Sequence, residues 1–78
     1  MIDAIETLYN HVKANPLHLP KSLATIARHR ESGLFDASLA LRLLRNNVTD
    51  NVRALPQYRF TIAHCDAVAR RLLAETVN

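Results

Sequence analysis

Ser32-Gly33-Leu34-Phe35-Asp36 holds the only glycine of a 78-residue chain. It stands between two segments whose apolar residues recur at helical spacing. Without a Cβ, glycine enters the left-handed conformation cheaply and so terminates helices. Leu34 is then placed to fold back onto the last turn, and Asp36 to cap the helix that follows. One such joint and no other glycine imply an all-α protein with tight connections.

Working upstream, residues 21–32 read as a helix opened by Pro20, which suits a first turn. Leu23, Ala24, Ile26 and Ala27 form its apolar face, with Lys21, Thr25, Arg28 and His29 on the other side. Arg30 falls on the apolar side. The loop 15–19 separates this helix from an N-terminal one over about residues 2–14. There Ile5, Leu8, Tyr9 and Val12 share a face, and Asp3 and Glu6 suit the positive helix end. Asn15-Pro16 stops it, because a residue before proline avoids helical dihedrals.

Downstream, Asp36 opens a helix over about residues 37–46, with Phe35 placed to staple against Ala40. Ala37, Leu39, Ala40, Leu41, Leu43 and Leu44 cover an arc of about 200°. Ser38, Arg42 and Arg45 fill the narrow polar stripe. A helix this apolar is either central to the fold or half of a subunit interface. Thr49 is expected to cap a short turn from Asp50 to Leu55, ended by Pro56. The last helix starts between Gln57 and Thr61 and runs to about Thr76. Ile62, Cys65, Val68, Ala69, Leu72 and Leu73 share its inner face. His64, Arg70, Arg71 and Glu75 lie outside, with Ala63, Ala67 and Ala74 on a smooth outer strip. The reading is a compact four-helix bundle plus a short turn, one domain over residues 1–78, hinged at Gly33.

Composition fits that reading. The chain is 49% hydrophobic, the content of a folded protein and not of a disordered tail. Its aromatics are Tyr9, Phe35, Tyr58 and Phe60, so the core is aliphatic. At this size the core is thin, worth about 3–5 kcal/mol net. Ten Lys and Arg against seven Asp and Glu give a formal charge of +3, a lean towards acidic partners. The single Cys65 cannot form an intrachain disulfide and fits a reducing compartment. No apolar run approaches membrane-spanning length, and the N-terminus lacks the basic segment of a secretory signal. A cytoplasmic location and no membrane partner are therefore expected. Asn47-Val48-Thr49 reads as a helix end and cap, not as a glycan site.

The candidates for chemistry are few. His64-Cys65-Asp66 has the residue types of a catalytic triple, but neighbours on a helix diverge by about 100°. Cys65 then points into the apolar face as a structural thiol. His11, His18, His29 and His64 form no i, i+4 pair, and no Cys-x-x-Cys accompanies them. No glycine-rich phosphate loop and no paired carboxylates are present. The expectation is a non-enzymatic protein without cofactor or metal.

Two binding readings remain. In the first, the chain is a small regulatory or inhibitory module that docks on another protein with an acidic surface. Arg30 and the strip Ala63, Ala67, Ala74, rimmed by Arg70 and Arg71, form the contact, since arginine is enriched at interface hot spots. A homodimer through the third or last helix is compatible with it. In the alternative, residues of about 20–46 form a helix-turn-helix-like pair in a DNA-binding regulator. Ser38, Arg42 and Arg45 then meet the duplex, with Lys21, Arg28 and His29 adding contacts.

Overall fold

The computed structural model describes residues 3–15, 18–54 and 59–77. Ile2, Pro16, Leu55, Pro56 and Gln57, to which the sequence assigns a helix start, helix stops and a connection, lie outside the described residues. The fold is an all-α bundle of four helices: α1 (Ala4–Ala14), α2 (Leu19–Glu31), α3 (Ala37–Arg53) and α4 (Ile62–Val77). Its dimensions are 41 × 19 × 18 Å.

Helix ends follow the local chemistry of the sequence. Asp3 is the N-cap of α1 and not a first-turn acid: its Oδ1 accepts from the Ile5 amide at 3.0 Å. Asn15 ends that helix in an extended conformation. His18 precedes α2 in the left-handed region at φ 62°, where histidine is enriched among residues with a Cβ. Pro20 occupies the first turn of α2, where its missing amide hydrogen costs nothing.

The Gly33 joint has the expected hand, with φ 75°. The Leu34 amide donates to the His29 carbonyl at 2.8 Å, and the Gly33 amide to the Arg30 carbonyl at 3.2 Å. This pair of bonds is the Schellman closure, which satisfies carbonyls that α2 leaves open. Leu34 does not fold back as expected; it is 72% exposed. Phe35 takes the apolar role instead, half-buried against the core. Asp36 caps α3 as expected, its Oδ1 accepting from the Ser38 amide at 2.8 Å.

The main departure from the sequence reading is the length of α3. It does not end near Asn46 with a separate capped turn; it continues unbroken to Arg53. Asn46 to Asn51 are weak helix formers, together costing roughly 3 kcal/mol relative to alanine. Burial and internal bonding oppose that cost. Asn47, Val48 and Asn51 are buried, and a buried Val alone contributes roughly 1.5 kcal/mol or more. The Thr49 hydroxyl donates to the Arg45 carbonyl at 2.9 Å instead of capping a new turn. The Asn51 side-chain amide donates to the Asn47 carbonyl at 2.9 Å and to its Oδ1 at 3.1 Å. Polar side chains that favour breaks are thus absorbed by the helix itself.

α3 packs against α1, α2 and α4, so its leucines belong to a central helix. Ala40, Leu44 and Val48 form its buried stripe, and Leu41 and Leu43 pack beside it. Leu8 and Val12 of α1 meet this stripe together with Val68, Ala69 and Leu72 of α4. Cys65 is buried in the same cluster, whereas Ile62, expected on that face, is 85% exposed. Packing on α4 therefore begins one turn after its first residue. α2 is held chiefly by α3, through Leu19, Leu23 and Ile26. One neighbour buries a narrower arc than expected, and Ala24 and Ala27 are exposed. His29, expected on the outside, is half-buried at the edge of that arc.

Gly33→Val tests the joint. Apart from its two chain neighbours, no described residue lies within 4 Å of the place a Cβ would take at Gly33, so the backbone conformation dominates the effect. A β-branched residue at φ 75° should cost about 1–3 kcal/mol in urea unfolding. An unchanged midpoint would mean that the left-handed closure does not form.

Candidate interaction surface

The charged side chains divide into two populations. On α1 and α4 they hold the bundle together. The Arg71 Nη1 lies 2.6 Å from Glu6 Oε2, and the guanidinium sits 3.7 Å from the centroid of the Tyr9 ring. The Tyr9 hydroxyl donates to Glu75, and Lys13 lies 3.7 Å from the same carboxylate. The bond to Glu75 keeps the proton on Tyr9 and raises its pKa above the ordinary phenol value. The bond to Glu6 likewise raises that of Arg71. Single exposed pairs contribute at most about 1 kcal/mol, but this group shares partners and clasps α1 to α4 at several points.

A second group joins α3 to α4. Asp66 accepts from Arg70 Nε at 2.7 Å and from Arg45 Nη2 at 2.8 Å. These bonds, that from Arg70 foremost, hold the Asp66 carboxyl below the usual carboxylate range. Arg45 is half-buried, and its Nε lies in the protein without a hydrogen-bond partner. Its charge is committed inside the bundle. Arg53 lies 3.6 Å from Asp50 on the same helix.

Among the described residues, five cations form no ion pair: Lys21, Arg28, Arg30, Arg42 and Arg59. Four of them belong to α2 and α3, and all five are exposed. Residues 18–54 carry six cations and three acids, which equals the +3 of the whole chain; the remainder is balanced at four of each. The net positive charge of this protein is therefore the charge of the hairpin around Gly33.

The same hairpin exposes apolar surface at its joint. Leu34 is 72% exposed, and Leu39, in the first turn of α3, is 37% exposed. Leu39 and Arg42 are three residues apart and share the outer face of α3. The Arg30 guanidinium lies 5.7 Å from the Phe35 ring centroid. That contact explains an arginine on the apolar side of α2: the side chain lies across an aromatic ring and keeps its charge in water.

The structure spreads the sequence candidates over three places. Arg30, Lys21, Arg28, Ser38 and Arg42 lie exposed on the hairpin, where the Arg28 guanidinium donates to Thr25 Oγ1 at 3.3 Å. His29 is half-buried beside them, and Arg45 is turned to α4. Ala63 and Ala74 are exposed on α4 and Ala67 is half-buried, while Arg70 and Arg71 are bound to carboxylates. Asn46 is exposed one turn beyond Arg42 on the same face of α3. Its i, i+4 spacing marks it, but the expected helix end at that residue hid the signal.

His64, Cys65 and Asp66 point to three different environments. The His64 ring bonds to the start of its own helix, Cys65 is buried, and Asp66 receives two arginines. Burial raises the Cys65 thiol above its ordinary value, which suppresses the nucleophilic thiolate. Among the described residues no group of three or more His, Cys, Asp or Glu is placed to hold a metal ion. No described helix is long and apolar enough to cross a membrane. No family model, curated protein or solved structure matches the chain.

Two measurements check this division. Because the folded pKa of Asp66 is depressed, its contribution to stability is present above the unfolded value near 3.9 and fades as pH falls through the lower folded value. Asp66→Asn should lower the Tm at pH 6 and lessen the gap to wild type between pH 4 and pH 2. A gap constant with pH would show that the arginine bonds do not stabilise the fold. Separately, Cys65 in the native protein should react with a thiol reagent at least tenfold more slowly than in urea. Equal rates would place the thiol at the surface.

Proposed function

We propose that this chain is a small non-enzymatic regulatory or inhibitory module that docks on another protein bearing an acidic surface. One observation carries the reading: the net charge resides on the α2–α3 hairpin, where Arg28, Arg30 and Arg42 share the exposed surface with Leu34 and Leu39 and, among the described residues, form no ion pair. An unpaired arginine keeps its full capacity for a partner carboxylate. Arginine is enriched at protein interfaces, and exposed leucines supply apolar area for the centre of such a contact, whose rim is polar. The contact area proposed is Arg30, Leu34, Leu39 and Arg42. The first of these comes from the interface residues expected from sequence. Arg70 and Arg71, expected in the same role, already have partners.

The second reading, a DNA-binding regulator, draws on the same hairpin. Lys21, Arg28 and Arg42 are free to contact phosphates, and Ser38, Arg42 and Asn46 line the outer face of α3. Against it, α3 is flanked by three helices and exposes only a narrow stripe, and Leu34 and Leu39 offer phosphates nothing. A free groove-reading helix presents a broader polar face.

A comparison of variants separates the two. The partner is captured from source cells with the wild-type chain, purified and remixed. The 1:1 complex should weaken at least tenfold with Arg30→Glu plus Arg42→Glu and should persist with Ala67→Glu. Loss with Ala67→Glu alone would move the interface to α4. Duplex DNA binding that weakens steeply with salt and disappears in the Arg30/Arg42 variant would replace the protein-docking reading with the second one.

A further inference from the structure

The start of α4 is closed by a reciprocal pair of hydrogen bonds. The His64 amide donates to Thr61 Oγ1 at 3.1 Å, and the Thr61 amide donates to His64 Nδ1 at 3.1 Å. This is the geometry of the capping box, in which a Glu or Gln normally supplies the returning acceptor. Here an imidazole supplies it. Phe60 stands edge-on to the same ring, with centroids 6.2 Å apart, and packs against the core.

The substitution changes the chemistry of the cap. A neutral imidazole with its proton on Nε2 offers a lone pair at Nδ1; an imidazolium offers none. The imidazolium also places a positive charge beside the amide hydrogens that form the positive end of the helix. A Glu or Gln in this position keeps its acceptor through the range where histidine takes up a proton. We propose that Thr61 and His64 form a proton-operated cap, closed when the ring is neutral and open when it is charged. Opening frays the first turn of α4 and loosens Phe60 from the His64 ring edge.

The surrounding charges are accounted for. On α4, Asp66 is bonded to Arg45 and Arg70. On α3, which packs along α4, Asp50 and Arg53 pair with each other. Arg59 precedes the cap and is exposed. Among the described residues no carboxylate forms a hydrogen bond or ion pair with the His64 ring, so nothing there compensates an added proton.

Amide hydrogen exchange between pH 7.5 and pH 5 reads the cap directly, after correction for the intrinsic pH dependence of exchange. In wild type, protection at His64 should fall at least threefold as the pH is lowered over that interval. His64→Gln retains an acceptor and should keep its protection constant over that interval. His11, His18 and His29 remain in the variant, so a global effect of those residues would appear in both proteins. A protection profile that is flat in wild type, or that falls equally in His64→Gln, would overturn the proposal. Wild-type protection at Leu44 and Leu72 should stay constant, since the core lies outside the cap. A parallel fall there would show general acid unfolding in place of a local switch.

Discussion

The fold depends on α3 remaining helical across a stretch that disfavours helix. Asn47, Val48 and Asn51 face inward, and their burial keeps the chain wound through residues that in isolation favour turns. If α3 broke near Asn46, the stripe Ala40, Leu44, Val48 would lose its last turn. α1 and α4 would then have less of a surface on which to meet. The buried asparagines also add a constraint that apolar residues do not. Asn51 satisfies its donor on Asn47 but leaves its Oδ1 without a partner, an expense tolerated inside an otherwise apolar interface.

That central helix also explains how charge is distributed. α1 and α4 face each other and lock their charges into shared pairs around Arg71 and Glu75, while Asp66 of α4 holds Arg45 of α3 and Arg70 of its own helix. α2 has α3 as its main neighbour, and among the described residues none of its cations, Lys21, Arg28 and Arg30, forms an ion pair. Most of the uncompensated charge follows from this architecture: among the described residues, three of the five unpaired cations, Lys21, Arg28 and Arg30, lie on the least enclosed helix, and a fourth, Arg42, on the exposed stripe of α3. The proposed docking surface follows from that asymmetry and not from any single motif.

Much of this was legible in the residues. The Gly33 joint, the Asp36 cap, the apolar face of α1 and that of α4 from Cys65 onward follow from local rules that tertiary contacts leave undisturbed, whereas Ile62 of α4 is exposed. The end of α3 was not legible, because Asn-Asn-Val-Thr-Asp-Asn has the composition of a break and only the neighbouring helices outweigh it. The exposure of Leu34, Ala24 and Ala27 depends on how many neighbours α2 has, which periodicity does not encode. Likewise, Arg42 and Arg45 look alike in sequence. Only the position of Asp66 on α4 separates a free arginine from a committed one. His64 has the residue type of a catalytic triple with Cys65 and Asp66, but its hydrogen-bond partner is Thr61, three residues upstream.

Net positive charge concentrated on the α2–α3 hairpin, with the cations of α1 and α4 bound to their own carboxylates, should show as an uneven surface potential. Paramagnetic relaxation of backbone amides by an anionic cosolute, divided by that from a neutral one of the same size, measures this residue by residue. The ratio should peak at the amides around Lys21, Arg28, Arg30 and Arg42 and decline as salt is added. A ratio that peaks at Arg70 and Arg71, or that is uniform over the described helices, would mean that the hairpin does not carry the net charge.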